Sequence, residues 1–136
     1  MADKKFQLDI VTPSSTVYSG EVLSFTAPGV VGNFQVLFNH APLLSAVGVG
    51  EVKIAEADGK QIRYAISGGF VEVKANKVIL LAESAESESE INLERAEKAK
   101  ARATERMNKK KSEVDLDRAQ LSLLRSINRL KIASKK

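Results

Sequence analysis

The chain has 136 residues, 43% of them hydrophobic and 28% charged, and a formal net charge of +4. That length suffices for one ordinary core, or for one compact domain of roughly 85 residues with an appendage. The chain has no cysteine and a single histidine, which excludes a disulfide framework, a thiol nucleophile and a metal site built from cysteines or a histidine cluster.

Residues 1–86 have the sequence features of a β domain. Phe6, Leu8 and Ile10 alternate with polar residues, which is typical of a half-buried strand. Turn residues separate the further short strands at positions 12–15, 19–20, 28–29, 39–42 and 67–69. Short strands at this spacing indicate an antiparallel sandwich or barrel, and we favour a sandwich of about ten strands.

The clearest hairpin lies at residues 51–67, where two alternating runs flank Asp58-Gly59. This dipeptide supplies the positive φ angles of a type I′ turn. One face of the hairpin is then apolar and is expected to be buried; its members are Val52, Ile54, Ile62, Tyr64 and Ile66.

The character of the chain changes near residue 87. Residues 87–136 contain no Gly or Pro and carry 14 Lys and Arg against 8 Asp and Glu, whereas residues 1–86 carry 7 against 9. The sequence therefore predicts a nearly neutral β domain over residues 1–86 and a basic helical part over residues 87–136.

Two helices are predicted in the basic part, at about 92–108 and 113–133, and their short connection makes them an antiparallel hairpin. Asn92 is a good N-cap for the first helix. The apolar stripe of this helix is thin and comprises Leu93, Ala96, Ala103 and Met107. The stripe of the second helix comprises Leu116, Ala119, Leu123, Ile127 and Leu130. The first helix buries little area and should detach easily.

Each helix carries three arginines spaced by seven and then four residues, namely Arg95, Arg102 and Arg106, and Arg118, Arg125 and Arg129. Each set lies along one helical face. If these faces meet when the hairpin closes, several guanidinium groups converge and could hold a polyphosphate. The alternatives are solvated faces paired with neighbouring carboxylates, or an acidic protein partner. Nucleic acid is disfavoured because the charge is mixed and residues 87–136 contain no aromatic residue.

The sequence contains no motif for catalysis or metal binding. His40 has no second metal-ligand candidate at a useful spacing, and the carboxylates are scattered. No Ser/His/Asp order and no phosphate-binding loop occurs. We therefore expect a chain that is not an enzyme, with no catalytic residue, no metal and no required cofactor.

Several blocks of the sequence resemble the epsilon subunit of bacterial and chloroplast F-type ATP synthases, which corresponds to the mitochondrial delta subunit. These blocks are LDIVTP, VYSGEV, NHAPLL, ISGGFVEV followed by KVILLAE, INLERA and DLDRAQLSLLRSINRL. They occur in the right order over nearly the whole chain. The resemblance implies a mixed β and α fold, with an N-terminal antiparallel β-sandwich of about ten strands followed by a C-terminal two-helix antiparallel hairpin.

The resemblance also implies a non-catalytic rotor subunit of a proton-translocating ATP synthase, held on the cytoplasmic face of the bacterial plasma membrane by the complex. Its β domain would dock on the gamma subunit and the c-ring, coupling their rotation to catalysis in the beta and alpha subunits. The uncharged run from Val22 to Gly50 is then the docking region, with Asn33 and His40 as contact residues. Many relatives have a GELGI-like segment where this chain has GNFQV.

The hairpin of the resembling family inhibits ATP hydrolysis when it extends along gamma, and it folds against the β domain in its other state. The residues that would then meet an acidic segment of the beta subunits are Lys109, Lys110, Lys111 and Arg118. In some bacterial relatives ATP stabilises the folded state through an I/L-D-x-x-R-A motif and nearby arginines.

The ATP-binding residues implied for this chain are Glu86, Ile91, Asn92, Arg95, Ala96, Arg102, Arg125 and Arg129. Asn92 replaces the acid of the motif, so we expect altered and weaker binding of ATP as a regulatory ligand. The alternative function is a free-standing basic helical module that binds an acidic protein or nucleic acid.

Overall fold

The computed structural model describes residues 4–108 and 113–133, except for the side chains of residues 108 and 113–116. The chain divides into two compact units, Met1–Ser87 and Glu88–Lys136. The described part of the first unit contains the strands β1 (Phe6–Val11), β2 (Thr16–Gly29), β3 (Gly32–Val36), β4 (Leu43–Glu56), β5 (Gln61–Lys74), β6 (Lys77–Ala82) and β7 (Ala85–Ser87). The second unit begins with a 3-10 turn (Glu88–Glu90), followed by the helices α1 (Leu93–Asn108) and α2 (Glu113–Ala133).

The strands pair in the order β1-β6-β5-β4-β2-β3, and β1 also pairs with β2. This second pairing joins both ends of the β1-to-β2 path, so the β domain is a sandwich closed like a barrel. The described strands pair antiparallel except for β1 and β6, which are parallel. This parallel pair is an exception within the antiparallel sandwich that the sequence predicts. No hairpin turn joins β1 to β6, and so no turn fixes their relative direction.

The core lies inside this closed sheet and follows the alternation of the strands. Phe6, Leu8 and Ile10 of β1 are buried, as their period of two predicts. The largest fully buried side chains of the β domain are Phe25, Leu8, Ile10, Ile54, Ile66 and Leu80. These aliphatic and aromatic side chains give the first unit a core of its own.

The fold class predicted from the sequence is confirmed, but the strand count differs. The sequence suggested about ten short strands, and the described residues form seven. The difference arises because β2, β4 and β5 are each 14 residues long and run through a glycine-containing segment that looked like a turn. Gly68 and Gly69 illustrate this, since both lie within β5 with positive φ angles of 119° and 146°. They bend the strand without ending it.

Gly69 shows why the bend needs a glycine. A Cβ atom placed there would collide with the carbonyl oxygen of Leu81 on the neighbouring strand β6. The residue lies beside β6 because Gly69 and Ala82 are partners in the antiparallel pairing. Both the backbone angle and the close approach of β6 therefore exclude a side chain at this position.

The hairpin of β4 and β5 has the predicted register, with Val52 opposite Tyr64 and Ile54 opposite Ile62. Its turn differs from the prediction. Glu56 and Lys60 close a three-residue loop in which Gly59 alone has a positive φ, 90°. The type I′ geometry occurs instead in the hairpin of β5 and β6, where Ala75 and Asn76 have φ angles of 51° and 60°.

The two helices of the second unit contact each other. Their buried residues are Ala96 and Ala103 on α1 and Ala119, Ser126, Ile132 and Ala133 on α2, and all of these except Ile132 recur at intervals of seven. Seven-residue spacing is typical of helices packed side by side, and small side chains let their axes approach closely. Neither helix has, within its described residues, the apolar length that crossing a membrane requires.

The predicted apolar stripes were only partly right. Leu93 on α1 and Ile127 on α2 are exposed rather than buried. Leu116 lies among the residues whose side chains are not described. A prediction based on apolar residues missed Ser126, which is 3% exposed. Its hydroxyl donates to the Ser122 carbonyl at 2.9 Å, so the polar group is satisfied within the helix.

Candidate functional site

Asn92 caps the first helix, as its sequence position predicts. Its side-chain oxygen accepts a hydrogen bond from the backbone N–H of Arg95 at 3.0 Å. Its carbonyl accepts from the N–H of Ala96, also at 3.0 Å. The cap satisfies a backbone donor at the α1 N-terminus that has no partner inside the helix.

The implied ATP-binding residues near this cap differ in exposure. Ile91 and Ala96 are buried, so their side chains pack within the protein. Arg95 and Arg102 lie on α1 with exposed side chains. The structure thus leaves these two guanidinium groups accessible to an anion in solution.

Arg125 and Arg129, on α2, are less exposed than Arg95 and Arg102 on α1. Both are half-buried, and both take part in polar interactions of the chain. An anion bound by these two groups would therefore compete with, or add to, interactions that already exist. Arg118, on the same helix, is exposed.

Glu86 belongs to the β domain. It lies in β7, opposite Ala65 of β5, and its side chain is half-buried and already engaged in a polar interaction. Three predicted contact residues, Lys109, Lys110 and Lys111, lie outside the described residues.

The predicted docking region presents apolar side chains to solvent at two places. The turn between β2 and β3 carries Val30 and Val31, with Val31 96% exposed. Asn33 is exposed at the start of β3, opposite Pro28 of β2. The segment between β3 and β4 is flanked by exposed Leu37 and by Leu44, which is 73% exposed. Exposed apolar side chains in an uncharged segment are typical of a surface that contacts another protein.

His40 lies between these two leucines in the loop of residues 37–42, here named the His40 loop. Its Nδ1 donates to the carbonyl of Ala41 at 2.7 Å, and its backbone N–H donates to the carbonyl of Leu37 at 3.2 Å. The ring is half-buried. Bonds within its own loop set the imidazole orientation at Nδ1 and leave Nε2 as the nitrogen that a partner could contact.

Sequence reasoning missed one feature of this loop, the bonding of Asn39 to Asn76. The backbone N–H of Asn39 donates to the side-chain oxygen of Asn76 at 2.7 Å. The side-chain nitrogen of Asn76 donates to the side-chain oxygen of Asn39 at 3.0 Å. The two residues are 37 positions apart, so no local pattern reveals the pair. The only available signal was that asparagine tolerates positive φ at turns.

A polar cluster covers the outer face of β1 and β2. The Ser19 hydroxyl donates to the Asp9 carboxylate at 2.6 Å, and the Gln7 amide donates to the same oxygen at 3.1 Å. The hydrogen bond from Ser19, followed by that from Gln7, holds the pKa of Asp9 below its usual value. No group of three His, Cys, Asp or Glu residues suited to a metal ion occurs in the described part of the chain.

Two family models match the two units in sequence order. The β-sandwich domain of the ATP synthase delta/epsilon chain matches residues 5–88, and the long α-helix domain of the same chain matches residues 89–134. The chain belongs to the ATP synthase delta/epsilon family. The matches to this family therefore include both the β domain and the helical hairpin.

Curated relatives in this family match over almost their full length. The ATP synthase epsilon chain of Desulforamulus reducens is 45% identical over 130 residues, covering 96% of this chain and 98% of that relative. The epsilon chain of Syntrophomonas wolfei is 40% identical over 135 residues, covering 99% and 98%.

Solved structures show the same fold. A chain of the Euglena gracilis mitochondrial ATP synthase, in a structure of OSCP, F1 and the c-ring, matches with a TM-score of 0.83 and 21% identity, over 98% of this chain and 82% of that one. A chain of the Tetrahymena thermophila mitochondrial ATP synthase central stalk and c-ring matches with a TM-score of 0.68 and 16% identity, over 93% and 95%.

Proposed function

We propose that the chain is the epsilon subunit of the central stalk of a proton-translocating F-type ATP synthase. It catalyses nothing itself and couples rotation of the gamma subunit and c-ring to catalysis in the beta and alpha subunits. It works on the cytoplasmic face of the bacterial plasma membrane, where the complex holds it. The observation that carries this proposal is the match of both family domains, in order, across residues 5–134.

The surface of the β domain supports a docking role. The run from Val22 to Gly50 has no charged residue, and the structure exposes Val31 and Leu44 from it. A partner face that covers such side chains gains hydrophobic free energy without having to desolvate a charge. We assign Asn33 and His40 to this contact.

The hairpin supports a regulatory role because detaching α1 requires little free energy. The fully buried side chains in its described part are Ala96 and Ala103. Exposing these two methyl groups costs about 2 kcal/mol, at roughly 0.8 kcal/mol for each carbon, and the α2 side chains that lose their cover add to this cost. Contacts with other subunits of similar size suffice to open the hairpin and to extend it along gamma, where it inhibits ATP hydrolysis. Lys109, Lys110, Lys111 and Arg118 meet the acidic segment of the beta subunits in that state.

ATP is the proposed regulatory ligand of the closed hairpin. Arg95, Arg102, Arg125 and Arg129 supply the positive charge, all from helices that contact each other. Ile91 and Ala96 pack beside the cap, and Glu86 completes the proposed set of ATP-binding residues. The Asn92 side chain provides the cap without the negative charge of the family motif, and this weakens binding.

Truncation tests the division of labour between the two units. A chain that ends at Ser87 replaces the full chain in the assembled complex, and a chain that ends at Ala133 serves as the matched truncation control. We expect the shorter chain to support proton pumping and ATP synthesis while ATP hydrolysis becomes faster. Complexes that fail to assemble or to pump with residues 1–87 would contradict the proposal.

A further inference from the structure

The reciprocal hydrogen bonds between Asn39 and Asn76 join two parts of the β domain that are far apart in sequence. Asn39 lies in the His40 loop between β3 and β4, and Asn76 lies in the turn between β5 and β6. Each residue supplies one acceptor and one donor to the other, at 2.7 and 3.0 Å. Both backbones are left-handed, with φ angles of 63° and 60°. We refer to this pair of bonds as the asparagine clamp.

The turn side of the clamp is rigid for reasons that do not involve the loop. Lys74 and Lys77 pair directly across the turn, and the carbonyl of Asn76 accepts from the backbone N–H of Gln7 on β1 at 3.0 Å. The turn is therefore anchored to β1, β5 and β6. A side chain that projects from this turn is a fixed point for whatever it binds.

The loop side depends on fewer contacts. Within the His40 loop, His40 makes local hydrogen bonds to the carbonyls of Leu37 and Ala41. Asn39 has a conformation that costs a non-glycine residue free energy, and the clamp offsets part of that cost. The clamp therefore restricts the loop, which carries His40 between two exposed leucines.

We propose that Asn76 is a positioning residue for rotor docking, holding the His40 loop in the conformation that the rotor binds. This inference rests on the proposed function. The partner face that fits the loop is uncharged and apolar, because exposed Leu37 begins the loop, exposed Leu44 follows it and no charged residue lies between them. Asn76 acts by ordering the loop before binding, so that less conformational entropy is lost when the complex forms.

The test separates the clamp from the turn by three single substitutions in the full chain. Asn76→Gly keeps the left-handed backbone and removes both clamp bonds. Ala75→Gly changes the neighbouring turn residue and keeps the clamp, so it is the matched control. Asn76→Asp keeps an acceptor for the Asn39 N–H and tolerates positive φ, and a rotated Asn39 amide can donate to its second oxygen. It is the conservative variant that should restore the clamp.

Two readouts are needed for each variant. Hydrogen exchange of the Asn39 amide, followed by NMR, reports whether the clamp is closed. The dissociation constant for ATP synthase complex depleted of this subunit reports docking. We expect Asn76→Gly to speed exchange and to weaken docking about tenfold, the effect of one to two hydrogen bonds. Ala75→Gly should leave both readouts unchanged, and Asn76→Asp should return docking to within about threefold of the unsubstituted chain.

The outcomes are distinguishable. Faster exchange of the Asn39 amide in Asn76→Gly with unchanged docking would overturn the positioning role, because the clamp would then have only a structural effect. Equal weakening by Ala75→Gly would overturn it too, since the turn rather than the clamp would matter. If the unsubstituted chain fails to bind the depleted complex, the proposed function itself is wrong.

Discussion

The side-chain oxygen of Asn92 accepts a hydrogen bond from the backbone N–H of Arg95, 3.0 Å away, and so fixes the first turn of α1. The same residue stands where the family motif has an acid. Capping and charge at this position can therefore be separated by substitution, because aspartate caps a helix as well as asparagine does.

Asn92→Ala removes the capping acceptor, and we expect it to destabilise α1 by about 1 kcal/mol. Asn92→Asp keeps the acceptor and adds a negative charge at the positive end of the helix dipole, so it should leave α1 as stable or more stable. Amide hydrogen exchange along α1 measures both effects. Equal protection of α1 in the alanine variant and the unsubstituted chain would show that the cap contributes nothing.

Calorimetric titration of the isolated chain with Mg-free ATP tests the proposed nucleotide site. We expect micromolar-to-millimolar binding that Arg125→Ala removes, because Arg125 is half-buried and a partly desolvated guanidinium contributes more to anion binding than a solvated one. Arg118→Ala is the matched control on the same helix, at an exposed position. The proposed site would be wrong if titration with ATP gave no binding heat in any chain, or if both variants lost that heat equally.

Ala103→Leu should open the hairpin. Ala103 is 1% exposed, and inserting a larger side chain in a close-packed contact costs about 1–3 kcal/mol. We expect faster amide exchange in α1 and, in the assembled complex, slower ATP hydrolysis as the inhibitory state gains population. Ala101→Leu makes the same change at an exposed position of the same helix. An effect of Ala101→Leu as large as that of Ala103→Leu would argue against a packing origin.

Asp9 should give the β domain an acid-labile contribution to its stability. Its pKa is lowered in the folded chain by the bonds from Ser19 and Gln7, so the unfolded chain binds protons more readily as the pH falls. The contribution is present above the unfolded pKa, about 4, and is lost as the pH falls through the lower folded value.

Urea unfolding at several pH values between neutrality and pH 3 measures the effect of Asp9. Asp9→Asn should flatten the pH dependence of the unfolding free energy, and Ser19→Ala should reduce it. Ser14→Ala, which touches Thr12 rather than Asp9, is the control. If the unfolding free energy of Asp9→Asn depended on pH as it does in the unsubstituted chain, other carboxylates would account for the loss of stability in acid.

Local sequence patterns predicted those parts of the fold that local physics decides. Alternation placed Val52 and Tyr64 on one buried face, and the choice of asparagine at position 92 predicted the helix cap. The patterns failed where a distant strand decides the outcome. Gly69 looks like a turn residue in sequence, but the structure uses it to bring β5 against the carbonyl of Leu81.

The candidate site also combines features that local sequence patterns predict with features that depend on distant residues. The seven-and-four spacing predicted that the three arginines of each helix share one face. Spacing does not determine burial, however, and only the packing of the helices distinguishes half-buried Arg125 from exposed Arg118. The roles assigned to these residues stay predictions. The asparagine clamp could not be predicted, because the pairing of β4 with β5 brings its two residues together from 37 positions apart in the sequence.

Local patterns were enough to predict the β domain and the helical hairpin, the buried alternation and the α1 cap, because each depends on residues a few positions apart. Other features became visible only in the folded chain: β1 runs parallel to β6, Ser126 is buried and Asn76 holds the His40 loop through Asn39. These features depend on contacts between residues that the chain separates by tens of positions. Their free energy is gained only when the whole domain closes, so no short stretch of sequence encodes them.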